Sequence, residues 1–324
     1  MIRLNTDKGW ARINSWDDVL TRPGFVTDVD PKAVTLKSII GSYVFSAFLP
    51  CGLSTCHKPH GRGYLVTTSD GRETNIGKDC GKKYFSVDFE SMARTFDREL
   101  RAQERREAIT AFQHQIPAIR ARIRALKEGD QGANWLHKHL TYMVDARAGL
   151  PPDVLRTVDR LVKRRVGTLT TSRLATADEM VRMRAQGQRV QAGETYVEEV
   201  VGRLDGIAAL FKENDLRHLL VEQMKDMDAV EAADVSAMTE AELRRVAKWT
   251  ITVEPNLKQA GEVLEVGRRF LTRSNLEQLA RYVANRDERR RFGDFLSKLP
   301  TGQAGTAKQN SFVHQAANAS GPPL

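Results

Sequence analysis

The sequence has few cysteines, few aromatic residues and no long apolar segment. Only three of its 324 residues are cysteines and 7% are aromatic. Three cysteines cannot all pair within one chain, which argues against a disulfide framework. The best apolar run, residues 39–50, contains Gly41, Ser42 and Ser46 and is shorter than the roughly 18 residues that cross a bilayer. We therefore expect a protein without a membrane span. Residues 1–7 do not have the apolar core and cleavage site of a signal peptide, so we expect a cytoplasmic protein.

The sequence patterns that mark common enzyme centres are also missing. It contains no phosphate-binding loop, no H-E-x-x-H and no G-x-S-x-G, and Gly61-Arg62-Gly63 lacks the later glycine of a dinucleotide site. A cysteine nucleophile is the remaining enzymatic alternative, with Cys56 beside His57 or Cys80 near Lys82. Such a thiol needs a base in space and an oxyanion site, which one local cluster does not supply. We expect a non-enzymatic protein.

The three cysteines all fall within residues 51–80, where they predict a zinc site. Structural zinc prefers four thiolate or imidazole ligands, with close pairs separated by two to five residues. Cys51 and Cys56 form such a pair, His60 follows, and Cys80 completes the set, with His57 as the alternative to His60. The bland interpretation is that the cysteines are small buried residues and the histidines lie on the surface. Gly52 is expected to allow a sharp turn between the first two ligands.

A β-hairpin is predicted between the two halves of this site. Residues 64–68 and 73–76 are rich in β-branched and aromatic side chains, and Asp70-Gly71 separates them. Asp-Gly between two such runs is a strong hairpin signal, because glycine tolerates the positive φ that a tight turn needs. The hairpin would return the chain so that Cys80 reaches the other ligands.

A ligand-bearing turn, a hairpin and a ligand at a helix start together resemble the treble-clef and zinc-ribbon class of zinc modules. The resemblance covers residues 50–90 and implies a small fold held by one structural Zn²⁺. Such modules usually carry a second paired ligand after the hairpin. Here Cys80 stands alone, and Lys83 lies where a partner would be expected.

Beyond Cys80 the apolar residues recur at helical spacing. One set runs Phe89, Met92, Phe96 and Leu100, and a second runs from Ile109 to Leu126. Pro117 is expected to kink or restart this helix. Capping candidates at Thr176, Thr239 and Ser274 mark the starts of further helices. The further amphipathic helical segments that we predict cover residues 154–166, 177–186, 195–213, 216–224, 240–249, 254–271 and 275–299.

These patterns predict an α+β fold class with a small N-terminal zinc-stabilised domain that contains a β-hairpin, followed by a mainly α-helical bundle. The zinc-binding α+β domain covers residues 1–90 and a basic helical segment covers 91–174. An α-helical domain covers 175–299. Residues 300–324, which are rich in small and polar residues, are expected to form a disordered tail.

Positive charge is concentrated in one part of the chain. The net charge is +9, and residues 91–174 alone contribute +8. Arginines at four-three-four spacing fall on one helix face, where they can follow a phosphate backbone, and more cations surround the zinc site. The predicted nucleic-acid-binding residues are Lys58, Arg62, Lys82, Lys83, Arg94, Arg98, Arg101 and Arg105.

The sequence therefore predicts a zinc-binding, non-enzymatic protein whose partner is DNA or RNA. The alternative is that these arginines have no binding role and belong to a solvated helix with internal ion pairs, because Asp97, Glu104 and Glu107 lie among them. The functional alternative is a protein-interaction adaptor or accessory factor of mobile-element origin, in which the zinc module and the helical bundle both bind protein partners.

Overall fold

The computed structural model describes residues 2–6 and 9–302. Helix accounts for 55% and strand for 19%, a mixed composition consistent with the predicted α+β class. The chain divides into two compact units: unit 1 comprises Met1–Ile116 and Ala229–Thr252, and unit 2 comprises Pro117–Asp228 and Val253–Leu324. No helix in the described part of the chain is both long and apolar enough to cross a membrane. The predicted disordered tail begins at residue 300, and from residue 303 onward it lies outside the described residues.

Unit 1 contains a five-stranded antiparallel sheet with the strand order β2-β1-β3-β4-β5. Its strands are β1 (Ile2–Thr6), β2 (Gly9–Ile13), β3 (Leu36–Pro50), β4 (Pro59–Thr68) and β5 (Glu73–Ile76). The β4–β5 pair confirms the predicted hairpin, with Tyr64 opposite Ile76 and Gly71 at a φ of +84°. Strand β4 begins at Pro59, earlier than predicted, because its first residues pair with β3.

Two apolar clusters pack around this sheet. One cluster includes Tyr43, Leu65 and Val19 of the short helix α1 (Asp17–Leu20). Just before this helix, the Ser15 Oγ accepts a hydrogen bond from the Asp17 amide at 3.1 Å. The second cluster joins the sheet to the first part of helix α2 (Lys78–Glu128) and includes Val66, Ile76, Cys80, Phe89 and Phe96.

Helix α2 is interrupted at Ser86, where φ is 50° and ψ is −130°. The expectation of a restart at Pro117 was wrong, because helical dihedrals continue through that residue. A proline removes only one backbone hydrogen bond of the helix. The buried Ile116, Ile119 and Ile123 stabilise the same helical face around it and offset that loss.

The remaining helices confirm several predicted starts. Thr176 and Glu179 form a capping box, and the side chains of Thr239 and Glu242 bond each other's backbone amides in the same way. Thr272, not Ser274, is the N-cap residue of the next helix. The helices are α3 (Ala133–Tyr142), α4 (Pro152–Arg164), α5 (Ala177–Ala185), α6 (Gln223–Glu231), α7 (Glu240–Phe270), α8 (Arg273–Leu276) and α9 (Arg286–Leu296). Short 3-10 helices cover Ala146–Ala148, Ile207–Leu210, Lys212–Asn214 and Glu277–Tyr282, and Arg217–Glu222 is a π-helix.

The predicted helix over residues 195–213 was wrong. This segment forms strand β7 (Tyr196–Arg203), which pairs antiparallel with β6 (Thr168–Leu174). Its β-branched residues Val197, Val200 and Val201 favour extended backbone once a partner strand is present. Two other predictions were wrong. The break predicted between residues 249 and 254 is absent, because α7 continues through Pro255, and the single helix predicted over residues 275–299 is divided into α8, a 3-10 helix and α9.

Replacing Gly63 with alanine should destabilise unit 1 through overpacking. A Cβ atom there would lie 2.4 Å from the Tyr43 hydroxyl oxygen and 2.5 Å from the Ile76 carbonyl oxygen. We expect the free energy of unfolding to fall by about 1–3 kcal/mol, measured by urea denaturation. Gly24→Ala is the matched control, since its Cβ would find no atom nearer than 3.5 Å. Equal stability of the two variants would contradict this account of the sheet.

Candidate metal centre

The three cysteines, which are distant in sequence, meet at one point of unit 1. Cys51 follows β3, Cys56 lies in the loop before β4, and Cys80 lies in the first turn of α2. Their Sγ atoms all lie within 4.8 Å of one another, and those of Cys56 and Cys80 are 3.1 Å apart. None of the three forms a disulfide. Zinc–sulfur bonds of about 2.3 Å in a tetrahedron separate the sulfurs by about 3.8 Å, so the three thiols can hold one metal ion.

Backbone amides approach these sulfurs in a repeated pattern. The amide two residues after each of the first two cysteines forms a hydrogen bond to the thiol: Leu53 to Cys51, and Lys58 to Cys56. His57 has a left-handed φ of 49°, which turns the backbone so that the Lys58 amide faces Cys56. Amide donors stabilise a thiolate, the form in which sulfur binds metal.

Burial and these amides act in opposite directions on the thiol pKa values. Burial raises the pKa of Cys51, and it raises the pKa of Cys80 to about 12, with hydrogen bonding and charge repulsion from the neighbouring thiols adding to it. Burial also acts to raise the pKa of Cys56, but hydrogen bonds from the Lys58 amide and the Cys80 thiol outweigh it and lower that pKa. A bound cation would supply the missing charge compensation and deprotonate all three thiols.

Gly52 holds the first ligand close to strand β5. A Cβ at this position would lie 2.1 Å from Thr74 Oγ1 and 2.9 Å from Asn75 Oδ1. Its amide donates to the Asn75 carbonyl at 2.8 Å. Gly52 lies at a bend of the chain, as predicted, without a positive φ. Glycine is needed here for close backbone approach, and it fixes Cys51 against the hairpin.

Neither histidine joins the sulfur cluster in this structure. His60 lies on β4 opposite Leu49, where Nδ1 is 3.0 Å from the Lys58 carbonyl oxygen and Nε2 contacts the Tyr43 hydroxyl. His57 is more than half exposed, and its Nε2 lies 3.6 Å from a carboxylate oxygen of Asp28. Among the described residues, only the three cysteines assemble as a group that can hold a metal.

A polar chain runs from His60 through Tyr43 to Asn75, whose backbone carbonyl accepts from the Cys51 thiol. The Asn75 side-chain amide donates to the Tyr43 hydroxyl at 3.2 Å and to the Pro50 carbonyl at 2.8 Å. Burial raises the pKa of Tyr43, and charge on the nearby Cys51 and Cys80 sulfurs adds to the effect. The sequence analysis missed Tyr43 and Asn75, because they lie on different strands and no local pattern marks their meeting.

The predicted nucleic-acid-binding cations divide into two groups. Lys82 pairs with Glu90 at 3.0 Å, and the Lys83 ammonium lies 5.0 Å from the centre of the Tyr84 ring. Arg105 is largely buried, 4.0 Å from Glu240. The other five are exposed and have no ion pair with any described residue; they are Lys58, Arg62, Arg94, Arg98 and Arg101.

Much of the positive charge of the middle segment is neutralised inside unit 2. Arg122 pairs with Glu254 at 2.6 Å and Arg173 pairs with Glu179 at 2.8 Å. Arg120 and Arg165 are likewise paired, with Asp228 and Glu213 respectively. These four arginines pair with carboxylates of other elements. The ion pairs within one helix that were the alternative are not found for Glu104 and Glu107, which contact Arg3 and Arg12 instead. Of the predicted nucleic-acid-binding cations, the five that have neither an ion pair nor a ring contact all lie in unit 1, together with the sulfur cluster.

No protein-family model, curated protein or solved structure matches this chain. Its function therefore has to be argued from the sulfur cluster and from the charges around it.

Replacing Tyr43 with phenylalanine should destabilise the part of the sheet that holds His60 and Asn75. The change removes the partner of His60 Nε2 and one partner of the buried Asn75 amide. Leaving buried polar groups unpaired costs about 1–3 kcal/mol, and we expect a loss in that range by urea denaturation of the metal-free protein. Tyr84→Phe is the control, because its hydroxyl makes one long hydrogen bond of 3.4 Å at an exposed position. A Tyr43→Phe variant as stable as the control would show that the polar chain contributes nothing.

Proposed function

We propose that residues 51–80 bind one structural zinc ion and that unit 1 uses its exposed cations to bind DNA or RNA. The observation that carries the proposal is the convergence of three thiols from three separate elements without a disulfide. A set of soft sulfur ligands selects zinc over the oxygen-preferring Mg²⁺ and Ca²⁺.

The zinc ion would act by holding the fold together. It would link the end of β3, the following loop and the start of α2, three segments whose mutual packing depends on a small core. Since no such site exists in the unfolded chain, the free energy of metal binding would become free energy of folding. The thiolates of Cys51, Cys56 and Cys80 would be its ligands.

We assign the fourth position to His60. Metal-ligating histidines usually donate their second ring nitrogen to a carbonyl or carboxylate oxygen. The His60 Nδ1 already faces the Lys58 carbonyl, which leaves Nε2 as the ligating atom. Coordination would require this nitrogen to exchange the Tyr43 hydroxyl for the metal.

The purified protein should contain one zinc ion per chain, measured by elemental analysis. Cys51→Ser and Cys80→Ser should each lose the metal and lower the thermal midpoint of unit 1, since binding and folding are coupled. A cobalt-substituted wild-type protein should show sulfur-to-cobalt charge-transfer bands together with the visible spectrum of a tetrahedral site.

The histidine variants provide the matched pair for the fourth position. His60→Ala should change the cobalt spectrum and weaken metal binding, whereas His57→Ala should leave both unchanged. Metal-free wild-type protein with the stability of the zinc-treated protein would refute the structural role. A folded Cys80→Ser variant that retains zinc would refute the ligand assignment.

The exposed cations of unit 1 support a nucleic-acid partner. Arg94, Arg98 and Arg101 are all exposed on helix α2 at four-three spacing. On the sheet, Arg62 lies opposite Val44. Phe48, which is 71% exposed, lies in the bulge between Val44 and Leu49 and offers a ring on which a base can stack. Cations beside an exposed aromatic ring are what a single-stranded or flexible nucleic acid requires.

A triple variant of these arginines tests the nucleic-acid role. Replacing Arg94, Arg98 and Arg101 with alanine should weaken binding to a mixed-sequence oligonucleotide. It should also reduce the slope of log K against log salt by about 2–3, because each lost phosphate contact removes about 0.7–0.9. The measurement is fluorescence anisotropy at several salt concentrations.

The control removes the same number of charges from paired positions. Arg122, Arg165 and Arg173 each contact a carboxylate, and replacing all three with alanine should leave the salt slope unchanged. Equal affinity and slope for the wild type and the Arg94/Arg98/Arg101 variant would refute nucleic-acid binding by this surface.

A protein-interaction role is the second candidate, and the β6–β7 pair favours it. Leu174, Tyr196 and Val200 are 49%, 61% and 66% exposed on this two-stranded sheet. An exposed group of apolar residues of this kind is typical of a protein contact. Binding through it would depend little on salt, which distinguishes it from binding through the arginines.

A further inference from the structure

Unit 2 contains a cleft of about 260 Å³ beside helix α3, which we call the α3 cleft. Its walls come from the end of α2, the first turns of α3 and the π-helix before α6. An apolar cavity of about 150 Å³ holds a benzene molecule, so this space can hold a somewhat larger ligand. It does not involve the sulfur cluster or the exposed cations of unit 1.

The charged groups of the α3 cleft are all basic. Lys127 and Arg217 line it together with His137, and no aspartate or glutamate does. Neither Lys127 nor the Arg217 side chain forms an ion pair or hydrogen bond with a described residue. This contrasts with Arg122, Arg165 and Arg173 of the same unit, which are paired. Two uncompensated cations at one cleft attract an anion, because the low-dielectric wall strengthens their field.

Asn134 also lines the cleft, and the other four lining residues are apolar. Leu216, Leu220 and Ala133 are buried, with Leu220 only 1% exposed, and Val221 lies beside them. Residues 216, 220 and 221 fall on the same side of the chain because the π-helix has a wider turn than an α-helix. The cleft therefore joins an apolar wall to a cationic edge.

We infer that the α3 cleft binds a small amphipathic anion, a carboxylate or phosphate monoester that carries a short aliphatic body. The aliphatic part would lie against Leu216, Leu220 and Val221. The anionic group would contact Lys127 and Arg217, with His137 beside them. Both parts are needed, because the cationic edge alone would hold an anion only weakly in water and the wall alone would not distinguish it from an alcohol.

The test uses the full chain and four probes of graded chemistry: hexanoate, hexyl phosphate, 1-hexanol and inorganic phosphate. Binding is followed by two-dimensional amide NMR and by isothermal titration calorimetry. Hexanoate or hexyl phosphate, or both, should bind saturably and shift the amide signals of residues 133–137 and 216–221, and the stronger of the two identifies the head group. 1-Hexanol and inorganic phosphate should each bind at least about tenfold more weakly, since each lacks one half of the recognised chemistry.

Variants locate the site. Lys127→Met and Arg217→Met keep an apolar stem but remove the charge, and each should weaken binding of the amphipathic anion about tenfold. Val221→Asp places a carboxylate at the partly exposed wall and should abolish binding while the circular dichroism spectrum and melting temperature stay near the wild-type values. Arg124→Met is the control, because this exposed arginine is also on α2 but does not line the cleft.

Four results would overturn the inference. The first is 1-hexanol binding as tightly as both amphipathic anions, which would leave the cations without a role. The second is inorganic phosphate binding as tightly as hexyl phosphate, which would leave the apolar wall without one. The third is unchanged anion binding in a folded Lys127→Met/Arg217→Met double variant. The fourth is the absence of binding by either amphipathic anion.

Discussion

The meeting of three sulfur atoms is the constraint on which the arrangement of unit 1 depends. Each sulfur comes from an element with a different role: the end of a long strand, a loop and the first turn of a long helix. Two features bring the loop and the strand end into place, namely the close approach of Gly52 to β5 and the left-handed residue His57. As neutral groups, three thiols this close stabilise one another little, since sulfur is a weak hydrogen-bond donor and acceptor. The arrangement is chemically reasonable for ligands of a shared cation.

The groups that form hydrogen bonds around the cluster are of the kinds that commonly surround metal ligands. Amides face the sulfurs, a buried tyrosine and asparagine lie behind them, and an imidazole with one nitrogen on a carbonyl lies at the edge. Outer groups of this kind orient metal ligands and fix their protonation. The same contacts also stabilise the sheet, because Asn75 connects β5 to both Tyr43 and the end of β3. Site and fold therefore share their buried polar groups.

The sequence predicts those features that depend on residues close together in the chain. The Asp70-Gly71 hairpin and the Thr176 capping box are local, and both are found as expected. The clustering of the cysteines is local enough for their spacing to suggest a shared site. The position of His60 is different, because it depends on β4 beginning at Pro59 and pairing with β3, which draws the imidazole toward Tyr43.

Tertiary partners account for the other differences. The segment after Thr195 has a pattern that fits either helix or strand, and pairing with β6 decides in favour of the strand. The arginines of the middle segment look alike in sequence, yet Arg94 and Arg98 remain without an ion pair while Arg122 meets Glu254 from a helix far along the chain. Charge patterns in one segment therefore overestimate the surface that is free to bind a polyanion.

The discontinuity of unit 1 has a consequence for how the protein is made. Residues 229–252 return to complete a unit that the first 116 residues begin: Trp249 packs on Phe112 with ring centres 5.5 Å apart, and the Gln113 amide donates to the carbonyls of Val230 and Ala233. During synthesis, the residues of the sheet and the sulfur cluster emerge from the ribosome first. The contacts of residues 229–252 with the rest of unit 1 can form only after residue 252 has emerged. A growing chain would thus pass through a stage in which its three cysteines have emerged while Phe112 still lacks its aromatic partner.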